Sequence, residues 1–220
     1  MSLLFRALLL LVLLSSSLLT LRFGVAEEET ASAPGAPLLA SPFPCEQNFP
    51  VSQGNHGRTH NGWGKYAWDF STPVGAPIVS PVAGEVIRVR DDSIRYGCDP
   101  SFGWDGNYIL ISIDEETDLL LLHLEANSAR VEVGDQVDIG TPLAKVGNSG
   151  WVCGTHLHVQ VQRRCNTWWC PSLPASFEGG KNPGRGEFVL STSCEVPVEN
   201  EEGLLSLLLG RITPRRYLQQ

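Results

Sequence analysis

The chain is short of positive charge. Lys and Arg number 16 against 24 Asp and Glu, a formal net charge of −8 over 220 residues. Nucleic-acid binding rewards clustered cations, so that partner class is excluded first. The helix-borne His-Glu-x-x-His zinc motif is absent, and so is any Cys-x-x-Cys pair. Gly147-Asn148-Ser149-Gly150 lacks the second glycine position of a nucleophile elbow, which removes the obvious serine-hydrolase reading. Between residues 44 and 196 no amphipathic helical stretch of normal length occurs.

What that region does contain is short apolar runs separated by Gly, Pro, Asn and Asp. Strands are expected at Ile78-Val79, 84–89, 107–113, 118–124, 136–137, 143–146 and 156–162, with 188–196 as a last strand. Many short strands with regular turn signals predict an all-β, antiparallel sandwich or barrel-like single domain. Two segments share a cadence: Val74-Gly75 with Ile78 and Gly84, and Val133-Gly134 with Val137 and Gly140. This fits a weak duplication of a hairpin unit as well as it fits common turn chemistry.

The N-terminus reads as an export signal over residues 1–26. Arg6 precedes the apolar run of residues 7–14, and Gly24-Val25-Ala26 is a small-residue cleavage site; an uncleaved anchor is the alternative. Residues 27–43 are acidic and rich in Pro, Ala and Ser and read as a linker outside any core, with 197–220 as a tail. After cleavage no stable membrane insertion is expected, and the product is secreted or periplasmic. Six cysteines in an exported chain favour disulfides. The expected pairs are Cys165–Cys170, Cys45–Cys194 and Cys98–Cys153, although a mixed site from Cys153, His156, His158 and Cys165 stays open.

The most informative stretch is His156-Leu157-His158-Val159-Gln160-Val161-Gln162. Its alternation puts both imidazoles on one face of a strand, about 6.5 Å apart. Histidines on the polar face of a core-forming strand point to a site. Catalytic zinc sites take three protein ligands from His, Asp and Glu. Asp69, flanked by Trp68 and Phe70, is a carboxylate in an apolar setting that a metal would relieve, although a capping role fits it equally well alone. His123, in the run Leu119-Leu120-Leu121-Leu122-His123-Leu124, reads by itself as a satisfied core residue.

Taken in order, His60…Asp69, the strand ending His123-Leu124, and Gly147-Asn148-Ser149-Gly150 before His156-Leu157-His158 resemble the lysostaphin-type zinc endopeptidases. Asp69-Phe70-x-x-Pro73-x-Gly75-x-Pro77-Ile78 and Val133-Gly134-Asp135-x-Val137-x-x-Gly140 resemble that family too, so the likeness spans about residues 52–163. The resemblance implies Zn²⁺ held by His60, Asp69 and His158 in the groove of a duplicated, hybrid-motif-like β domain. It implies His123 and His156 as catalytic residues, and peptidoglycan or glycine-rich peptides as substrate. His60 lies nine residues before Asp69, a longer interval than many relatives show, so His56 remains a rival first ligand. An inactive regulator of wall hydrolases is the alternative function; it would be expected to have lost ligands, and all five positions are filled. Trp63, Trp104 and Trp151 are candidates for the groove's rim and Asn107 for a place beside the metal.

Overall fold

A computed structural model describes residues 35–45 and 47–190. The signal reading, residues 27–34 of the linker, Cys194 and the tail lie outside the described residues. Thirteen strands occur among the described residues, and no α-helix does. They are β1 (Leu38–Leu39), β2 (Val51–Gln53), β3 (Trp68–Ser71), β4 (Pro77–Val79), β5 (Gly84–Arg90) and β6 (Tyr96–Gly97). There follow β7 (Tyr108–Ser112), β8 (Thr117–Leu122), β9 (Gln136–Val137) and β10 (Pro142–Lys145). The last are β11 (Gly150–Trp151), β12 (His156–Arg163) and β13 (Ser176–Phe177). The all-β expectation is met, and all seven strands predicted between residues 78 and 162 are present.

Seven strands form one antiparallel sheet in the order β2-β3-β12-β8-β7-β5-β9. β12 is the strand to which the site is referred, because β3 and β8 flank it. In that register His158 stands opposite Asp69 on one side and Leu122 on the other. The alternation read from the sequence holds: Leu157, Val159 and Val161 enter the main core with Trp68, Phe70, Leu119, Leu121, Ile109 and Ile111. Ile78, Leu143, Ala144 and Val146 join the same core from the separate β4–β10 pair.

The unbroken apolar run of β8 has a simple cause. Leu119 and Leu121 face the main core, while Leu120 and Leu122 face a second cluster with Leu110, Ile87, Tyr108, Trp168 and Trp169. A strand covered on both faces needs no polar alternation. The two segments of shared cadence prove to be partners, since β4 pairs with β10 and β5 with β9. Their Val-Gly turns put Gly75 at φ 84° and Gly134 at φ 100°, a left-handed conformation in which glycine meets no Cβ penalty.

Two expectations are corrected. Residues 38–43 are not linker: β1 pairs in parallel with β13, and Leu39, Ala40 and Phe43 are buried. The composition of this stretch is loop-like, yet Phe43 packs edge-on against Phe49 and Phe70. The strand expected from residue 188 is reduced to a bridge between Phe188 and Pro50, and residues 191–196 lie outside the described residues. Disulfides join Cys98 to Cys153 and Cys165 to Cys170 as expected. Cys45 is also disulfide-bonded, but its expected partner Cys194 is not described.

Phe43 separates the two accounts of the N-terminal segment. As a core residue, Phe43→Ala should cost about 3–5 kcal/mol, measured by denaturant unfolding. As linker it would cost almost nothing.

Candidate metal centre

Two strands, the residue after a third and one loop deliver five polar groups to one groove of about 760 Å³. Asp69 comes from the middle of β3, not from a turn. His158 comes from the facing position of β12, and His156 from two residues earlier on the same face. His60 comes from the loop before the short 3-10 turn Gly62–Gly64. His123 follows directly on β8.

His123 breaks its strand's alternation. At φ 71° it adopts the left-handed conformation, which is uncommon for a residue with a Cβ. By alternation its ring would continue the row of Leu119 and Leu121 into the main core. The turn instead brings it to the groove, 4.6 Å from the His156 ring. The strain is held by a buried network. Asn107 Nδ2 donates to the carbonyls of Ser93 and Leu124, and Ser149 Oγ donates to that of Leu124. Ser149 Oγ accepts in turn from the Asn107 amide.

The imidazoles are oriented by backbone carbonyls. His60 Nδ1 donates to Gly54 O at 2.9 Å, His123 Nδ1 to Ser149 O at 2.8 Å, and His156 Nδ1 to Gly154 O at 2.7 Å. A carbonyl only accepts, so in each neutral ring the proton sits on Nδ1 and Nε2 keeps its lone pair. His60 Nε2 then lies 3.1 Å from Asp69 Oδ1, without alignment for a hydrogen bond. His158 Nδ1 lies 2.9 Å and His156 Nε2 3.6 Å from that same oxygen. Asp69 Oδ2 is occupied by Gln53 Nε2 at 3.1 Å.

His158 Nδ1 donates to Asp69 Oδ1, and the Nε2 atoms of His60 and His158 are left buried without a hydrogen-bond partner. That arrangement calls for a cation between them, whether a proton or a metal. The donor set fits a metal well. His60, Asp69 and His158 are all buried and place one ligand atom each within 4.8 Å of one another. Two imidazoles and a carboxylate suit Zn²⁺, and carbonyl bonds on the far ring nitrogen are the usual outer support for such ligands.

Electrostatics agree. Burial by itself would raise the Asp69 pKa, but the His158 hydrogen bond and the adjoining His60 ring outweigh it and hold it well below the usual carboxylate range. Burial opposes charge on His60, yet the adjoining Asp69 carboxylate prevails and raises its pKa. For His158, burial prevails over Asp69 and the pKa falls. His123 is pushed down to about 3, by burial first and then by the neighbouring His156 and His158.

His56 takes no part. Its ring meets Tyr66 edge-on at 5.2 Å, so of the two sequence rivals His60 is the one brought to Asp69. The mixed Cys153–Cys165 site does not form, since both sulfurs are in disulfides. Trp104 and Trp151 line the groove as expected, but Trp63 does not. Sequence reading overlooked Gln53, Trp168, Trp169, Arg58 and Arg185, all of which line it. A signal for the two tryptophans was available: they lie inside the Cys165–Cys170 clip. Gln162 accepts from the Cys170 amide and donates to Trp168 O, and Gln160 donates to Cys170 O. The glutamines on the histidine face of β12 therefore hold the clip over the groove. Asn107 is fully buried and is not beside the donors; it is the pin described above.

Comparison with known proteins points the same way. Residues 64–168 match the model of peptidase family M23. Over that stretch, just under half of its length, the chain is similar to M23 peptidases. The M23 match begins four residues after His60, so that histidine's place in the site rests on the geometry. Among curated relatives, the peptidoglycan DD-endopeptidase ShyB of Vibrio cholerae is 33% identical over 125 residues, covering 56% of this chain and 24% of that protein. An uncharacterized metalloprotease of Haemophilus influenzae is 27% identical over 154 residues, 69% of this chain and 29% of that one. The chain thus spans roughly a quarter of the length of these relatives. Among solved structures, a zinc-containing peptidase from Vibrio cholerae aligns with TM-score 0.43 at 30% identity over 58% of this chain and 38% of that one. The lysostaphin catalytic domain from Staphylococcus simulans aligns with TM-score 0.40 at 20% identity, over 58% and 87%.

The two placements of Asn107 predict different failures. As a pin, Asn107→Ala should cost about 1–3 kcal/mol for each buried group it strands and leave metal content unchanged. Thermal unfolding combined with elemental analysis reads both; a stable protein with lost metal would restore Asn107 to the metal's side.

Proposed function

We propose that the chain is an exported zinc endopeptidase that hydrolyses peptide bonds, with the peptides of bacterial peptidoglycan as its substrate class. In this reading residues 1–26 are the signal and the described β domain is the secreted or periplasmic enzyme. The M23 match and the peptidoglycan-acting relative support the substrate class. The observation that carries the reaction is the convergence of His60, Asp69 and His158, with the unprotonated Nε2 atoms of His123 and His156 in the same groove.

His60, Asp69 and His158 are the zinc ligands. Zn²⁺ held there supplies Lewis acidity to the scissile carbonyl and lowers the pKa of a water toward about 7. The protein's own share is positioning and proton transfer. Among the described residues Asp69 is the only carboxylate lining the groove, and it is engaged by the imidazoles, so none of the described carboxylates there is left to act as base. That role falls to His123 and His156, whose Nδ1 protons are given to backbone carbonyls and whose Nε2 atoms can only accept until they are protonated. After accepting a proton, either ring becomes a donor to the carbonyl oxygen as charge develops, or to the departing amine. The hydrogen bonds to the carbonyls of Ser149 and Gly154 favour the same Nδ1–H tautomer in both rings.

The roles separate by measurement. Purified peptidoglycan and an oligoglycine peptide are digested with and without chelator, and zinc is counted per chain. His158→Ala should lose both zinc and hydrolysis. His123→Ala should keep zinc while its kcat falls by about two to four orders of magnitude. Full activity in His123→Ala would overturn the assignment, and cleavage indifferent to chelator would overturn the metal.

A further inference from the structure

The groove's two ends differ in chemistry, and the strand order is the cause. Asp69 and His158 stand on the neighbouring strands β3 and β12, and His123 follows the next strand, β8. Beyond them on the β7 side the wall is aromatic. Trp168 stacks on Tyr108 at 4.9 Å and meets Trp104 and Trp169 edge-on, and Trp169 leans on His158 at 5.5 Å. On the β2 side the lining is cationic, from Arg58 and Arg185.

Both arginines sit on segments anchored to the site. Arg58 belongs to the loop that carries His60. Thr59 N donates to Gln53 Oε1 and Gln53 Nε2 to Thr59 Oγ1, while the same Gln53 nitrogen reaches Asp69. Arg185 belongs to a turn docked on β2: Gly186 N donates to Val51 O, and Val51 N to Glu187 O. Gly54 closes the contact, since a Cβ there would stand 2.9 Å from Pro183 O. Among the described residues neither guanidinium forms an ion pair. Two uncommitted cations lining a groove whose one carboxylate is engaged, in a chain of net charge −8, are a local exception to the molecule's charge.

We propose that Arg58 and Arg185 form a carboxylate-recognition subsite. They grip an anionic group of the peptide on the β2 side of the cleaved bond, while the aromatic wall takes the apolar face of the substrate on the other side. The planar fork of a guanidinium matches a carboxylate's two oxygens, which an ammonium would not do. Substrate direction then follows from charge: acidic group toward β2, bulky apolar or sugar face toward β7. This rests on the peptidase reading and specifies which peptides it accepts.

The test compares a purified peptidoglycan stem peptide with its methyl ester, using tryptophan fluorescence of the whole chain as the binding readout. Stem peptide should bind about tenfold more tightly than ester, with the preference shrinking as salt rises. Arg58→Gln with Arg185→Gln should bind both forms equally and as weakly as the unaltered protein binds ester. Arg163→Gln, an exposed arginine outside the groove, should change nothing. Equal binding of acid and ester, no binding of either, or a preference that survives the double substitution overturns the subsite. Chelator-sensitive digestion alongside such a result leaves the hydrolase standing. Charge discrimination without any hydrolysis removes the hydrolase and keeps the subsite.

Discussion

One buried carboxylate oxygen organises this molecule. Asp69 Oδ1 has His158 Nδ1 at 2.9 Å, His60 Nε2 at 3.1 Å and His156 Nε2 at 3.6 Å. An anion withdrawn from water among lone pairs is costly unless a cation is shared there. The fold accepts that cost inside its largest sheet, in the register of β3 against β12, where a slip of one residue would turn Asp69 into the main core. Strand pairing and site chemistry are therefore the same constraint seen at two scales. The lowered Asp69 pKa and raised His60 pKa are both consequences of this crowding.

The next layer outward consists of backbone. Three of the four imidazoles are aimed by carbonyls of loop residues, Gly54, Ser149 and Gly154, so loop conformation decides which ring nitrogen faces the groove. Loops alone would be too loose for that task. The Cys98–Cys153 disulfide is one position from Gly154, and the Asn107–Ser149 network stands behind His123. A cross-link between distant residues chiefly restricts the unfolded chain, worth about 2–4 kcal/mol, but here it also stiffens the segment that orients His156. The Cys165–Cys170 clip does the same for the tryptophan wall, through hydrogen bonds from Gln160 and Gln162.

Much of this was legible in the sequence because strand alternation is a local property. His156-Leu157-His158 showed its two faces without any knowledge of partners, and the seven strands of residues 78–162 were marked by their turns. The site pairing of His60 with Asp69 was legible only through the family likeness, since nothing local says that a loop histidine meets a strand carboxylate nine residues on. His123 was misleading by itself: its apolar context is that of a core strand, and only a left-handed φ, which no periodicity encodes, brings it to the groove. Phe43 failed differently. Its neighbours have linker composition, but burial depends on the partner surface of Phe49 and Phe70, which is assembled from elsewhere in the chain. Asn107 was expected beside the metal and instead is buried behind His123, because a buried amide and a site amide have the same signature in sequence.

Gln160 and Gln162 show how the strand's polar face can serve chemistry and architecture together. Beyond the histidines, the face that should meet solvent is buried, and its two amides are spent on the loop of Trp168 and Trp169. Giving the buried amide nitrogens backbone acceptors matters more than the mean hydrogen bond, because leaving such a group unpaired costs about 1–3 kcal/mol; Gln160 Oε1 alone of these amide atoms has no partner. The clip is thereby tied to the same strand that carries His156 and His158, and the aromatic wall keeps a fixed distance from the donors. Since β3 and β2 carry the opposite wall, the width of the groove is set by strand spacing in the sheet. The slot therefore takes its dimensions from β-structure itself, with indole on one flank and the arginines on the other.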